Sequence, residues 1–400
     1  MAEHDDVVPE NCILFATADW DEPYWTNKQH CAKSLAELGV KVLYVESVGI
    51  RKPKAGSGRD WKRLLRRLRK GLASIVFGAK ECSPGIFVLS PLLVPVGYRF
   101  WLARILNRWL LKITIARTIN QRRFDKPLIW TYHPFMLDVI DGLSFNRLIY
   151  HCVDDLAAVP GVDAIAFREA ETQLLRRADV VFATAKPLAE SCRVLNSNTH
   201  FYPNVVDAAH FGKAIQPGLL PPELERIPEP RLVYHGVLSD YKVNFQLLLE
   251  CAQRRSNWSW VFIGEEREGQ KSSIVAELAR LPNVHFLGYR PYDVLPDYLR
   301  GMQIGLLPSH LNDYTEGMFP MKYFEYIAAG LPVVSTSLAF TEVCRQGIRV
   351  AENNSDFIVQ IERQLATGRL KVDEIRGFIG ENTWAGRTGK MLAAVIGGAK

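Results

Sequence analysis

Residues 320–335 read PMKYFEYIAAGLPVVS and place a lysine and a glutamate three residues apart on a run of helix formers. Lys322 falls in the first turn, beside free N–H groups and the positive end of the helix dipole, which together make a phosphate site. Pro320 suits that turn, where a missing N–H costs nothing, and Met321 lies between the two. One turn on, the carboxylate of Glu325 can accept two hydrogen bonds from a ribose diol. The run stops at Gly330 and passes through Leu331-Pro332 into a β-branched strand, Val333-Val334-Ser335. A second lysine, Lys242, follows the turn after another apolar strand, six residues beyond Gly236. Taken singly, each of these charged residues reads as a solvated side chain. A strand-to-helix crossing is what turns the set into a site for a phosphorylated ribose.

The first half offers different chemistry. His133 follows an apolar strand over 128–131, and Asp154 and Asp155 follow another over 148–152. Carboxylates at a strand end can orient or deprotonate a hydroxyl, or they can cap the helix expected over 156–177. A histidine beside an apolar strand is commonly structural, and a strand end is where it becomes functional. No further Asp or His stands at ligand spacing from the aspartates, so no metal is expected. Trp25, Thr26, Asn27 and Lys28 open the first helix, with Thr26 or Asn27 as its N-cap.

These residues need a scaffold that brings strand ends together. Strands are predicted over 12–16, 40–45, 86–89, 128–131, 148–152, 180–183 and 201–202, with a helix over 29–38 ended by Gly39. Prolines 217, 221, 222, 228 and 230 then crowd a break, which favours an extended linker. The pattern restarts with strands over 232–234, 260–263, 284–287, 304–307 and 333–334. This is an α/β chain of two Rossmann-like, doubly wound domains, with ligands at the carboxyl ends of the strands and a cleft where the domains face each other. The expected boundaries are 1–208, a linker over 209–230, 231–380, and a C-terminal helix over 381–400 returning toward the first domain.

Composition narrows the setting. Hydrophobic residues at 48% and charged ones at 23% are those of a globular chain. No run of eighteen apolar residues suggests a membrane span, and the acidic opening MAEHDDVVPENC does not read as a secretory signal. Seven scattered cysteines without a C-x-x-C fit reduced thiols in a cytosolic protein and argue against zinc. The net charge of +6 is uneven: residues 51–124 hold eighteen Lys or Arg against Asp60 and Glu81, a local +16 that leaves −10 for the rest. Over 61–76, Trp61, Leu64, Leu65, Leu68, Leu72, Ile75 and Val76 share one helical face, and Lys62, Arg63, Arg66, Arg67, Arg69 and Lys70 fill most of the remainder. A basic amphipathic helix with a tryptophan fits an anionic membrane surface. A second stretch, 98–117, fits either that surface or a helix covering the first sheet. Nucleic acid is the poorer partner, because no binding motif accompanies the charge.

The order Gly236, Lys242, Phe262-Ile263-Gly264, Val284-His285-Phe286-Leu287-Gly288, Leu307-Pro308-Ser309 and then 320–335 resembles the retaining GT-B glycosyltransferases of the large fourth family, the glycosyl transferases group 1. PNVVDAAHF over 203–211 is similar to that family's hinge signature. Within the family the likeness is to bacterial enzymes of teichuronic-acid and exopolysaccharide assembly, whose openings resemble DWDEPYWTNKQH and whose middles resemble IYHCVDD. The resemblance implies a nucleotide-diphosphate sugar as donor, UDP first and GDP or dTDP next, with no cofactor and no metal. It implies a lipid-linked or growing glycan as acceptor and retention of anomeric configuration. It gives the phosphates to Lys242 and Lys322, the ribose to Glu325, the base to backbone around Tyr289 and Arg290, and the donor sugar to His133. Relatives often carry glycines in the loop after the first strand. None precedes Gly39 here, so Thr26, Asn27 and Lys28 are expected to meet ligand through side chains.

Two positions depart from the pattern. Val237 stands where an arginine is common, which moves its phosphate role to Lys322. Gly317 stands where a glutamate is common, which leaves the sugar to Glu316, Asn312 or Thr315. The expected location is the cytoplasmic face of the membrane. The competing readings are a GT-B nucleotide-sugar epimerase and a non-catalytic membrane-binding protein. A dinucleotide oxidoreductase is disfavoured, since no G-x-G-x-x-G follows the first strand of either half.

Overall fold

Short apolar runs covered by helices on both faces must bury both sides of a strand, and parallel pairing meets that requirement. The computed structural model describes residues 9–47, 69–92, 101–266 and 272–397, with backbone alone for 101–104. It contains two such sheets. The first takes β1 (Asn11–Phe15), β2 (Lys41–Val45), β3 (Lys80–Ser83), β4 (Ile86–Leu89), β5 (Leu128–Thr131), β6 (Leu148–Cys152), β7 (Val180–Ala183) and β8 (Thr199–Phe201). Their order is β3-β4-β2-β1-β5-β6-β7-β8, parallel except where β3 runs against β4. The second takes β9 (Arg231–His235), β10 (Ser259–Ile263), β11 (Val284–Gly288), β12 (Ile304–Leu307), β13 (Val333–Thr336) and β14 (Ile348–Ala351). Their order is β11-β10-β9-β12-β13-β14.

The two-domain α/β reading is thus correct in class. Edge strands β3 and β14 are additions to it. Both lack the two-sided apolar pattern of a central strand: β3 is KECS and mostly exposed, and β14 is half-buried over most of its length. Each sheet has one point where the chain leaves the first strand in the opposite direction. It lies between β1 and β5 in one sheet and between β9 and β12 in the other. The carboxyl ends of those strands are where such sheets hold ligands.

Two compact units divide the chain. One comprises residues up to Thr184, Leu188–Tyr202 and the segment from Ala385 onward; the other comprises Ala185–Pro187 and Pro203–Trp384. The C-terminal helix, Trp384–Gly397, brings Met391, Leu392 and Val395 into the core of the first unit beside Cys12, Leu14 and Trp130. Each such fully buried side chain contributes about 1.5–3 kcal/mol, enough to hold that helix on its sheet. The second core gathers Trp260, Phe262, Leu247, Leu248 and Phe357.

Two expectations are corrected. Residues 209–230 lie within the second unit. Arg300 ties them there, donating to the carbonyls of Lys213, Gln216 and Leu219 at 3.0, 3.0 and 3.1 Å. The prolines punctuate short helical turns instead of an extended linker. The helix expected over 156–177 is two elements, a short turn at Leu156–Ala158 and a helix at Ala164–Arg177. Pro160 and Gly161 separate them, and Gly161 takes a positive φ of 85°.

Candidate active site

Three glycines end β9, β10 and β11 side by side. Gly236 N–H donates to the Ile263 carbonyl at 2.8 Å, and Gly264 N–H donates to the Gly288 carbonyl at 2.9 Å. All three have positive φ (112°, 152° and 73°), a region that glycine enters without a Cβ penalty. At Gly264 the space a Cβ would need is filled by the Gly236 carbonyl. The result is a ledge of bare backbone along the carboxyl edge of the second sheet.

Lys322 lies against this ledge. A Cβ on Gly236 would stand 2.7 Å from Lys322 Cε and 3.0 Å from its Nζ. The ammonium sits 5.3 Å from the Tyr234 ring centre. Burial lowers the Lys322 pKa, Glu325 opposes that shift, and the charge of Lys242 adds to it. Lys242 holds its ammonium 5.1 and 5.0 Å from the rings of Tyr241 and Tyr314. Two cations thus share one field at the strand ends, where an anionic ligand would relieve the strain between them.

The motif helix runs over Met321–Ala328, with buried Pro320 at its N-cap rather than within its first turn. Glu325 is 8% exposed. Burial pushes its pKa up to about 7, with Lys322 pulling the other way. Its Oε2 lies 3.3 Å from Nε2 of His235, the last residue of β9. Tyr326, the next residue, reaches over Gly305, where any Cβ would overlap its ring. The Tyr326 hydroxyl accepts from His235 N–H at 3.1 Å and donates to the Val233 carbonyl at 3.2 Å. It acts where the pairing of β9 with β12 stops, after Val233 and Gly305.

Other expected contacts are reassigned by the geometry. Asn312 and Thr315 cap a single helical turn: Asn312 Oδ1 accepts from Thr315 N–H at 3.0 Å, and Thr315 Oγ1 accepts from Asn312 N–H at 3.0 Å. Asn312 Nδ2 donates to the Tyr241 carbonyl at 2.8 Å, and Thr315 is wholly buried. Both side chains hold the loop through these bonds, and Asn312 is exposed beside Gly317's turn. Glu316 is exposed and stays a candidate. The Arg290 guanidinium is engaged by Glu223 at 2.7 Å and by the Tyr298 hydroxyl at 2.5 Å. The guanidinium also donates to the Tyr289 carbonyl at 3.0 Å.

In the first unit, Asp155 accepts from Ala157 N–H at 3.1 Å and pairs with Arg168. It caps the turn at Leu156–Ala158. His133 is fully buried at the end of β5, with no partner for either ring nitrogen among the described residues. Burial lowers its pKa to about 4, so it is neutral near pH 7. The glycine-free loop after β1 is held by side chains. Trp20 N–H donates to Glu46 at 2.8 Å, Tyr44 O–H to the Ala18 carbonyl at 3.0 Å, and Gln29 Nε2 to the Asp19 carbonyl at 3.0 Å.

Thr26 caps the first helix (Asn27–Glu37) and donates to Gln29 at 2.9 Å. Trp25 stacks edge-on with His30. Lys28 is buried 5.5 Å from the Tyr132 ring centre, and Asn27 Oδ1 accepts from Arg387 at 2.9 Å. Lys70 is committed to Asp21 at 2.8 Å and Glu46 at 3.7 Å, which removes it from a lipid-facing set. Arg69 is exposed. Trp61, Lys62, Arg63, Arg66 and Arg67 lie outside the described residues. His235, Tyr326, Gly305 and Arg387 went unread in the sequence. His235 carried a usable signal, as a polar residue directly before the glycine that ends a strand.

Residues 229–367 match the family model described as glycosyl transferases group 1, and the two doubly wound sheets give the chain the GT-B fold. The chain is similar to TuaH of Bacillus subtilis (strain 168), named as a teichuronic acid biosynthesis glycosyltransferase. The identity is 23% over 344 residues, covering 82% of this chain and 81% of TuaH. Among solved structures it resembles a glycosyltransferase from Rickettsia africae ESF-5, with a TM-score of 0.65, 13% identity and coverage of 98% and 100%. It also resembles Anabaena HepE in complex with UDP and glucose, with a TM-score of 0.58, 15% identity and coverage of 96% of each chain.

Proposed function

We propose that this chain is a glycosyltransferase that moves a sugar from a nucleoside diphosphate sugar, UDP first among the bases, to a lipid-linked or growing polysaccharide at the cytoplasmic membrane face. Retention of configuration and independence of metal are part of the proposal. The observation that carries it is the Lys322 ammonium set against the Gly236 backbone, one helical turn from the buried Glu325. As the bond to the nucleotide breaks, negative charge grows on the leaving phosphate. A fixed, half-buried cation stabilises that charge more in the transition state than in the ground state. Glu325 orients the ribose, and Lys242 shares the phosphate charge. The link of HepE to UDP and of TuaH to teichuronic acid supports the donor class and the polymer acceptor.

The membrane part rests on the helix Trp101–Arg122. It buries Leu111 and Ile115, yet leaves Ile105, Trp109 and Ile113, one turn apart, 55%, 58% and 46% exposed. Arg117 joins it to the helical segment 69–77 by donating to the Ile75 carbonyl at 3.0 Å. There Leu72, Val76 and Phe77 are exposed as well. No described helix is long and apolar enough to cross a membrane. An apolar strip with tryptophan and flanking basic residues suits the plane of an anionic bilayer.

Thermal shifts of the purified protein with UDP, GDP and dTDP sugars, followed by a hydrolysis assay on the sugar that binds, test the donor. Stabilisation by one nucleotide series and release of its diphosphate are expected, unchanged by EDTA. Absence of any nucleotide binding would overturn the reading.

A further inference from the structure

We infer that His235 is a positioning residue for the nucleotide's ribose: its Nε2–H donates to Glu325 Oε2 and turns the other carboxylate oxygen toward the ribose hydroxyls. This rests on the reading of Glu325 as the ribose ligand. The two atoms lie 3.3 Å apart, at the long end of hydrogen-bond range. His235 is 5% exposed, and its Nε2 has no aligned hydrogen-bond partner among the described residues; the 3.3 Å approach to Glu325 becomes a hydrogen bond on a small rotation of the ring or the carboxylate. A buried ring nitrogen left unpaired is costly, and the carboxylate beside it is the group it can satisfy.

The backbone of His235 is held as firmly as the ring. Its N–H donates to the Tyr326 hydroxyl at 3.1 Å. The Tyr326 ring stands edge-on to the imidazole at 5.0 Å. Two consecutive residues of the motif helix, Glu325 and Tyr326, therefore grip the side chain and main chain of one strand-end residue. That grip fixes the carboxylate in position and rotation, which the helix alone would not do, since a glutamate has three rotatable bonds.

Charge fits the same role. Burial and the nearby Lys322 hold the His235 pKa down to about 3. The imidazole is neutral near pH 7 and brings one N–H donor without a second positive charge. A cation at this point would compete with the ribose hydroxyls for the carboxylate. A neutral donor favours the ionised form of Glu325, whose pKa burial raises to about 7, and so strengthens the acceptor that both hydroxyls meet. The tautomer follows from the acceptor beside it: with Glu325 ionised, the proton sits on Nε2.

The test compares binding of UDP and GDP with that of their 2′,3′-dideoxy analogues by titration calorimetry, in wild type, His235→Phe, His235→Gln and His235→Asn. Wild type should prefer the ribonucleotide by at least about tenfold, as sites that hydrogen-bond a hydroxyl reject analogues lacking it. His235→Phe keeps the aromatic contact with Tyr326 and removes the donor; its preference should fall to within about threefold. Glutamine can place an amide N–H near the Nε2 position and should restore the preference, whereas asparagine reaches only the Nδ1 position and should not. This Gln/Asn contrast stands if the Phe variant folds poorly. A wild type without ribose preference would overturn the ribose reading itself. A wild-type preference that survives in both Phe and Asn variants would overturn the role of His235 alone.

Discussion

Replacing Gly236 by alanine separates the site from the scaffold. The substitution puts a side chain at a φ of 112°, which costs about 1–3 kcal/mol for a residue other than glycine. In a unit of this size each kcal/mol lowers Tm by about 2–4 °C, so the variant stays folded. The new Cβ would stand 2.7 Å from Lys322 Cε, where ordinary contact begins near 3.4 Å. The lysine end must therefore retreat by roughly 0.7 Å or more, and a displacement of about 1 Å in a catalytic group lowers turnover by about a hundredfold. The assay is release of nucleoside diphosphate from the donor that binds, with kcat/KM beside a melting curve. Gly377→Ala is the control. It lies in a helix with nothing within 4 Å of a new Cβ, and it should leave activity unchanged while stabilising the fold by up to about 1 kcal/mol. If Gly236→Ala loses the expected stability yet keeps kcat/KM within about threefold of wild type, Lys322 does not face the developing charge and the leaving-group assignment falls.

Lys322→Ala should lower kcat about 10²–10³-fold, as removal of a fixed oxyanion stabiliser does, and more than Lys242→Ala; steady-state kinetics of both variants decide. Glu325 holds its proton more tightly when folded, its pKa moving from 4.5 to about 7. The folded chain thus binds more protons than the unfolded one across that window, and stability falls as pH rises through it. Glu325→Gln removes this dependence. Urea melts should find the variant more stable than wild type by about 2–4 kcal/mol above pH 7, with the gap closing toward pH 4.5. Equal stability at both ends would refute the buried carboxylate. Trp109→Glu with Ile113→Glu should abolish flotation with anionic liposomes and leave Tm unchanged, because both side chains are exposed; undiminished flotation would remove this helix from the membrane face.

Central strands were readable because each is an apolar run a few residues long, and the parallel order follows from the helices between them. The edge strands β3 and β14 were not, since neither carries the two-sided apolar pattern of a central strand. The residues proposed for phosphate and ribose, Lys322 and Glu325, stand on one continuous segment, so their shared helix was legible. Roles that depend on a contact distant in sequence were not. Asn312 and Thr315 look available until their mutual capping is seen. Lys70 looks lipid-facing until Asp21, forty-nine residues earlier, is found beside it. Arg387 reaches Asn27 across 360 residues, and no local pattern announces that.

The strut formed by Tyr326 has a thermodynamic consequence. Gly305 lets the ring lie on β12, and the hydroxyl bridges two β9 backbone groups, so the helix bearing Glu325 is locked to the sheet before any nucleotide arrives. The conformational entropy of aligning the carboxylate is lost at folding rather than at binding. Nucleotide capture by this unit should then proceed as docking onto a rigid template, with the free energy of the ribose contact reaching affinity undiminished by local ordering.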